Sequence, residues 1–556
     1  MQKVKIIFGL LFLISQLNAQ IERPMGINFT GVVDYSTELV FTDAFKQSRE
    51  WTSFNADASG PWDTEVDIPL NANGYPLEIP YDNGVNPPQM VKALMLWDIE
   101  DAVPVGMYRL MVAGTGTVTL RYGASGTYQC PVDTLVEVTG SLFLEINMSD
   151  AADPINDIKF IYPEYVNTYD TQTFTDEFLS FTEDFQVFRF MDWLSTNGSA
   201  VSTWSDRTPV TNYTQAATNG VAWEYIIELC NLTKKDAWIN IPHLADDNYI
   251  QQLANLLQNN LDNDVKIYLE YSNELWNGAF VQNYEVADLA NSLGYTGQPW
   301  EQTWKYTAKR SADIFKIFED VFTDDSRLVK IMPSQAANSW ITNQLITYFN
   351  DPTYNPNQVT LDAVAIAPYF GYSVADQIVS DGVVNSITVP EIMTLIQDAL
   401  AESYTFMSDN KTVADDYNLR LITYEGGQHI VATGSNVNND LLTEKLIAAN
   451  RHPDMEGIYC EYFNHWYVNY GDVFAYFSSH ARPSKYGSWG VKENMQDVNH
   501  PKYLGLKNCV FSYNTIISSA EELNQKDHFS VFPNPTDDGQ IFIKSDLDKN
   551  VKIMLH

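Results

Sequence analysis

Positive charge is scarce in this chain of 556 residues: 33 lysines and arginines stand against 71 aspartates and glutamates, for a net charge of −38. Repulsion at long range argues against nucleic acid and anionic surfaces as partners, and against heavily sulfated or uronate-rich polymers. Cysteine is nearly absent as well. Cys130, Cys230, Cys460 and Cys509 are scattered, without CxxC or Cys/His metal spacing, and spacing alone does not pair them. No His/Asp/Glu cluster with ligand spacing stands in for them, so neither a catalytic metal nor a cofactor is expected. Long apolar runs are missing too, and no stretch approaches the roughly 20 residues of a membrane span. The one short run, residues 6–14, lies between MQKVK and SQLNAQ, the basic, apolar and small-residue parts of a secretory signal peptide. Cleavage is expected after Ala19, giving a signal segment 1–19, and with no cysteine following the run a lipoprotein anchor is not expected.

What is present suffices for a large core and more than one domain, since 45% of the residues are hydrophobic and 19% charged. MGINFTG (25–31) reads as a strand. The next stretch, 38–51, places Val40, Phe41, Ala44 and Phe45 on one helical side, so 20–51 forms one strand–helix unit. From 52 to 167 the texture changes to short β runs such as GMYRLMVAG and SLFLEINM, broken by Gly, Pro and Asn-Gly. This predicts an inserted β-sandwich-like domain, whose aromatic residues serve either its core or carbohydrate binding.

Strand–helix alternation then resumes over 168–515. The strand candidates are 186–193, 237–243, 265–274, 328–335, 361–370, 419–428 and 456–466, with helical patterns at 249–261, 302–321, 340–349, 390–407 and 439–450. Together with 25–31 that makes about eight strands, the count of an α/β fold of the (β/α)₈, or TIM-barrel, type, in which the active site lies at the C-terminal strand ends. Those ends are polar or aromatic here: Arg189, Asp192 and Trp193; His243; Asn273 and Glu274; Gln335; Tyr369; Glu425; His465 and Trp466.

Two of these ends carry the chemistry. VKIYLEYSNELWNG (265–278) begins as a strand and turns abruptly polar; counting by twos puts Glu270, Ser272 and Glu274 on one face. LRLITYEGGQ (419–428) ends likewise in Glu425 and two glycines. Glycosidic cleavage needs a proton for the leaving oxygen and a carboxylate facing the oxocarbenium-like centre, and two glutamates in different surroundings supply both.

Asn273-Glu274 on the fourth strand and Glu425 on the seventh resemble the signature of the clan A glycoside hydrolases, the barrel group that includes many cellulases, mannanases and xylanases. The resemblance implies Glu274 as acid/base and Glu425 as nucleophile. It also implies that Arg189, His243, Tyr369 and Trp466 position the nucleophile, bind sugar hydroxyls and stack on a sugar ring. Asn273, Trp193 and Trp276 are further candidates for contact with substrate. One departure is that Leu275-Trp276-Asn277 follows the glutamate, where the cellulase group commonly has Pro. Near the C-terminus FSVFPNPTDDGQIFIKS resembles the opening of the sorting domain of type IX secretion substrates, and 526–556 is read as a partial copy, implying that machinery as a partner and a secreted or cell-surface location. The expectation is a retaining, endo-acting enzyme on a plant or algal polysaccharide. A non-catalytic glycan-binding protein and a transglycosylase are the competing readings. Opposed surroundings should raise the pKa of Glu274 and lower that of Glu425.

Overall fold

A computed structural model describes residues 22–513 and the short strand pair Ser530–Val531 and Ile543–Lys544. The expected signal segment and most of 526–556 lie outside the described residues.

Strand β1 (Met25–Asn28) opens a closed parallel barrel. Next in the chain come β2 (Thr52–Asn55), β3 (Gln89–Met95), β4 (Gly106–Tyr122), β5 (Gly126–Val138), β6 (Leu142–Ser149) and β7 (Asn156–Ile161), which form one six-stranded antiparallel sheet. The 17-residue β4 organises it, pairing with β5 along its length, with β7 on its first half and with β6 on its second. The barrel continues with β8 (Val187–Arg189), β9 (Asp236–Ile241), β10 (Ile267–Tyr271), β11 (Leu328–Pro333), β12 (Ala363–Ile366), β13 (Arg420–Thr423) and β14 (Phe474–Phe477), which closes on β1. The outer ring consists of α1 (Asp176–Thr182), α2 (Trp223–Thr233), α3 (Asp247–Asn260), α4 (Val281–Ser292), α5 (Pro299–Val321), α6 (Ser339–Phe349), α7 (Val374–Ser380), α8 (Val389–Asp416), α9 (Asp440–Asn450), α10 (Met455–Asn469) and α11 (Pro501–Leu506). A disulfide joins Cys460 on α10 to Cys509. Among the described residues no helix is long and apolar enough to cross a membrane.

Two expected elements differ. The stretch 38–51 is not an α-helix: it runs extended, bridging Phe41 to Phe174 and Asp43 to Ile161, with a single 3-10 turn at Ala44–Gln47. Asp43 explains the choice. Its carboxylate accepts from Phe45 N at 3.0 Å, capping the turn, and from Phe160 N at 2.8 Å, tying it to β7. The apolar residues then pack on the sheet and, through Phe41, on Tyr225 of α2 without needing a helix. The second difference is the eighth barrel strand, expected at 456–466. That stretch is α10, with Tyr459, Tyr462, Phe463 and Trp466 buried at helical spacing, and the strand is the later, four-residue FAYF of β14.

Candidate active site

The site is built on Arg189, the last residue of β8, which is fully buried. Its guanidinium makes five hydrogen bonds. Nε and Nη2 each reach a carboxylate oxygen of Glu270 at 3.0 Å, Nη1 reaches Asn28 Oδ1 at 2.9 Å and Glu425 Oε1 at 2.8 Å, and Nη2 reaches Asn273 Oδ1 at 2.9 Å. A planar fork is the group that can satisfy such a set, and a lysine could not. Glu270 is held in turn by Trp238 Nε1 at 2.7 Å, while Asn28 donates to the Tyr424 and Tyr476 carbonyls. Four barrel strands are thereby locked to one cation, and Asn273 and Glu425 are fixed above it.

Glu274 reaches the same space by a different backbone route from the simple alternation expected. Strand β10 stops at Tyr271; Ser272 and Glu274 then take positive φ values of 60° and 45°, a left-handed conformation that costs non-glycine residues on the order of 1–3 kcal/mol. Asn277 Nδ2 donates to Glu274 Oε2 at 2.8 Å, and the Tyr424 hydroxyl donates to Oε1 at 3.0 Å. Glu425 receives the Tyr369 hydroxyl at 2.9 Å on Oε2 in addition to Arg189. The chain can follow Glu425 only with glycine, since a Cβ at Gly426 would run into the Phe474 ring.

Both glutamates face a cavity of about 730 Å³ at the C-terminal strand ends. Trp276 and Phe280 line one side and Tyr369, Tyr372 and Trp489 another, and Asp192 and Glu402 add two more carboxylates. No lysine or arginine among the described residues lines it, and none of them forms a group of three or more His, Cys, Asp or Glu able to hold a metal ion. Burial raises the pKa of Glu274, partly opposed by its bonds from Asn277 and Tyr424. The lowering expected at Glu425 is overturned. Burial pushes it up to about 8, with the Glu274 charge adding to the rise; Arg189 pulls the other way, but Glu270 holds that guanidinium as well. Burial also lifts Tyr369 and Tyr424 well above the usual phenol value, so both stay hydrogen-bond donors.

Of the residues singled out from sequence, Glu274, Glu425, Asn273, Trp276 and Tyr369 line this cavity, and Arg189 lies beneath it. Three do not. Trp193 is 1% exposed and packs in an aromatic core with Phe29, Phe178 and Phe190. His243 bonds Glu285 at 2.6 Å beside a separate cavity lined by Asp246, Tyr306 and Arg310. Trp466, inside α10, is fully buried and donates to the Asp472 carbonyl at 2.7 Å, and its neighbour His465 stacks on Tyr404. The aromatic residue that does reach the cavity from beyond the eighth strand is Trp489, its ring fixed by a 2.8 Å bond from Nε1 to the Tyr486 carbonyl. Glu270 was visible as inward-facing in the sequence pattern; a carboxylate inside a strand needs a buried partner, and that signal could have linked it to Arg189.

No family model and no curated protein matches the sequence. Solved structures similar to it include the GH51 arabinofuranosidase from Xanthomonas axonopodis pv. citri, at 12% identity and a TM-score of 0.34 over 56% of this chain and 61% of that one. A 4-O-alpha-L-rhamnosyl-beta-D-glucuronidase from Fusarium oxysporum matches at 9% identity and a TM-score of 0.35, over 70% of this chain and 72% of that one. A family 1 β-glucosidase from Thermotoga maritima matches at 11% and 0.31, over 60% and 85%. The chain thus spans less than two thirds of the arabinofuranosidase. At these scores the likenesses carry no argument, and the function is read from the residues of the site.

Proposed function

We propose that the protein is a retaining glycoside hydrolase cleaving β-glycosidic bonds within a neutral plant or algal polysaccharide. One observation carries this: two glutamates at the ends of the fourth and seventh barrel strands, Glu425 buried and Glu274 half-buried, face one cavity, and only Glu425 touches a cation. Two carboxyls raised together share one proton near neutrality, and their titration belongs to the pair. The neighbours decide where that proton rests. Arg189 favours the anion on Glu425, while Glu274 has only neutral donors from Asn277 and Tyr424 and keeps the proton.

The Glu425 carboxylate then attacks the anomeric carbon as Glu274 gives its proton to the leaving oxygen. In the second step Glu274, now ionised, takes a proton from water, which opens the glycosyl-enzyme on the same face and returns Glu425 as an anion. Asn273, oriented by Arg189 and by Asn197 at 3.1 Å, offers an amide to a hydroxyl beside the reacting carbon. Four carboxylates without a lining cation favour a neutral sugar over a uronate. Export through a type IX route is part of the proposal, supported by the N-terminal pattern, the VFPNPTDDGQ motif and the Cys460–Cys509 disulfide. Incubation with neutral β-glucans, mannans, xylans and galactans, with Glu425→Ala as the blank, tests the activity. Proton NMR of the first-formed sugar tests the route: the retained anomer is expected, and initial accumulation of the inverted one would remove Glu425 from the nucleophile role.

A further inference from the structure

Thirteen tryptophans occur in the chain, and ten of them are buried or half-buried. Among the described residues the exposed ones are Trp62, Trp300 and Trp340, and the last two, 44% and 50% exposed, meet with ring centroids 6.0 Å apart. Beneath them Trp304, only 5% exposed, touches both, at 4.6 and 5.5 Å. Indole surface left in water forgoes the gain of burial, so two adjacent exposed rings braced by a third form a surface built to be covered.

Their place in the barrel suggests what covers them. After β11 the chain supplies Gln335, Ala336 and Ala337 to the cavity wall and enters α6 at Ser339, so Trp340 lies three residues, at most about 11 Å of chain, beyond a cavity-lining residue. Trp300 stands in the first turn of α5, brought to the same barrel end by its contact with Trp340. The nearby cation is already engaged: Lys305 pairs with Glu301 at 2.6 Å and donates to the Thr296 carbonyl at 2.8 Å. The surface therefore offers indole faces and no free positive charge, which suits the C–H face of an uncharged sugar ring and not a polyanion.

We propose that Trp300 and Trp340 form an outer binding site for the neutral polysaccharide chain that enters the cavity, stacking on a sugar unit beyond those at the two glutamates. This rests on the glycosidase reading, and it makes the enzyme depend on chain length. The test compares the parent with Trp300→Ala/Trp340→Ala, which leaves Trp304 in place. KM for the polymer should rise roughly tenfold while kcat/KM for a short aryl β-glycoside stays unchanged. An unchanged polymer KM, or an equal loss on the short substrate, overturns the outer site and leaves the glycosidase reading standing. The same pair of substitutions in a Glu425→Gln background is run through native gels containing β-glucan, mannan or xylan. Retardation of the Glu425→Gln protein that is lost with the tryptophans supports the site even if no hydrolysis is found; no retardation by any of the glycans overturns it. A parent that sediments as a dimer and becomes monomeric in the double variant would assign the surface to self-association instead.

Discussion

Two buried carboxylates in this protein are raised in the same direction by burial and sit in different surroundings. Glu425 is pushed up to about 8 at the cavity floor, and Glu38, behind β1 and β14, is pushed up to about 8 by complete burial. Glu38 bonds His480 Nδ1 at 2.8 Å, both side chains are fully buried, and its second oxygen and His480 Nε2 have no partner. A carboxylate and an imidazole in contact resemble catalytic machinery, yet no substrate could reach them. Burial is the largest cause of the shift in both places. What separates the regions is access: Glu425 has a cavity, a second carboxylate and donors arranged around it, whereas Glu38 has a sealed neighbour.

The sharpest way to break this comparison is by activity. Glu425→Ala should reduce kcat by at least about 10⁴-fold and Glu274→Gln by about 10²–10⁴-fold, because each removes a group from the reacting atoms. Glu38→Gln should leave kcat within about threefold, since it keeps a hydrogen-bonding amide in a site remote from substrate. If folded Glu38→Gln lost activity as Glu274→Gln does, the sealed pair would belong to the mechanism. A smaller effect is expected at the shared cation. Arg189→Lys cannot hold Glu270, Asn28, Asn273 and Glu425 together, and should cost about 3–5 kcal/mol of stability along with most of kcat, read by thermal melting and steady-state rates.

Much of the site was legible in the sequence because a short buried strand that turns polar at its end is a local pattern. Glu274 and Glu425 both follow such strands. The misplaced eighth strand had no such pattern: FAYF is four apolar or aromatic residues without alternation, while 456–466 is longer, richer in aromatics and helical in period. Trp466 therefore took the role that Trp489, in an irregular loop, is placed to fill. Glu270 shows a second limit. Its partner Arg189 is 81 residues away, and only the closed barrel brings the two together. The pKa of Glu425 shows a third, because a neighbouring arginine is legible and the burial that outweighs it is not.

Stability against pH treats the two carboxylates alike where activity separates them. Glu38 on its own, and Glu425 through the proton it shares with Glu274, are raised to about 8 from an ordinary 4.5, so the folded state binds each of these protons more tightly. Each contribution is fully present below 4.5 and is lost as pH rises through 8. Glu38→Gln and Glu425→Gln should each flatten this alkaline loss, raising stability at pH 9 by a few kcal/mol at most relative to its value at pH 4. Denaturant melts at the two pH values measure it. A parent whose stability rises between them would show that other groups dominate and that burial of these two carboxylates is not what limits the fold in alkali.

The smallest effect separates two tryptophans. Trp489 lines the cavity beside Tyr369, with ring centroids 5.9 Å apart, and its indole is pinned by the Tyr486 carbonyl. Trp489→Ala should raise KM roughly tenfold with a lesser change in kcat, because an apolar face for a sugar ring is lost while both glutamates keep their partners. Trp466 offers the opposite case, packed on Phe474 at 5.5 Å and bonded to the Asp472 carbonyl, with no surface in the cavity. Trp466→Phe keeps most of that packing, loses one hydrogen bond and should cost about 1–2 kcal/mol of stability with KM unchanged. Melting and Michaelis curves on the same preparations decide between binding and packing. A KM that rises in Trp466→Phe and not in Trp489→Ala would mean that the sugar lies over α10, outside the barrel mouth, and the pair of glutamates would then need another explanation for sharing a cavity.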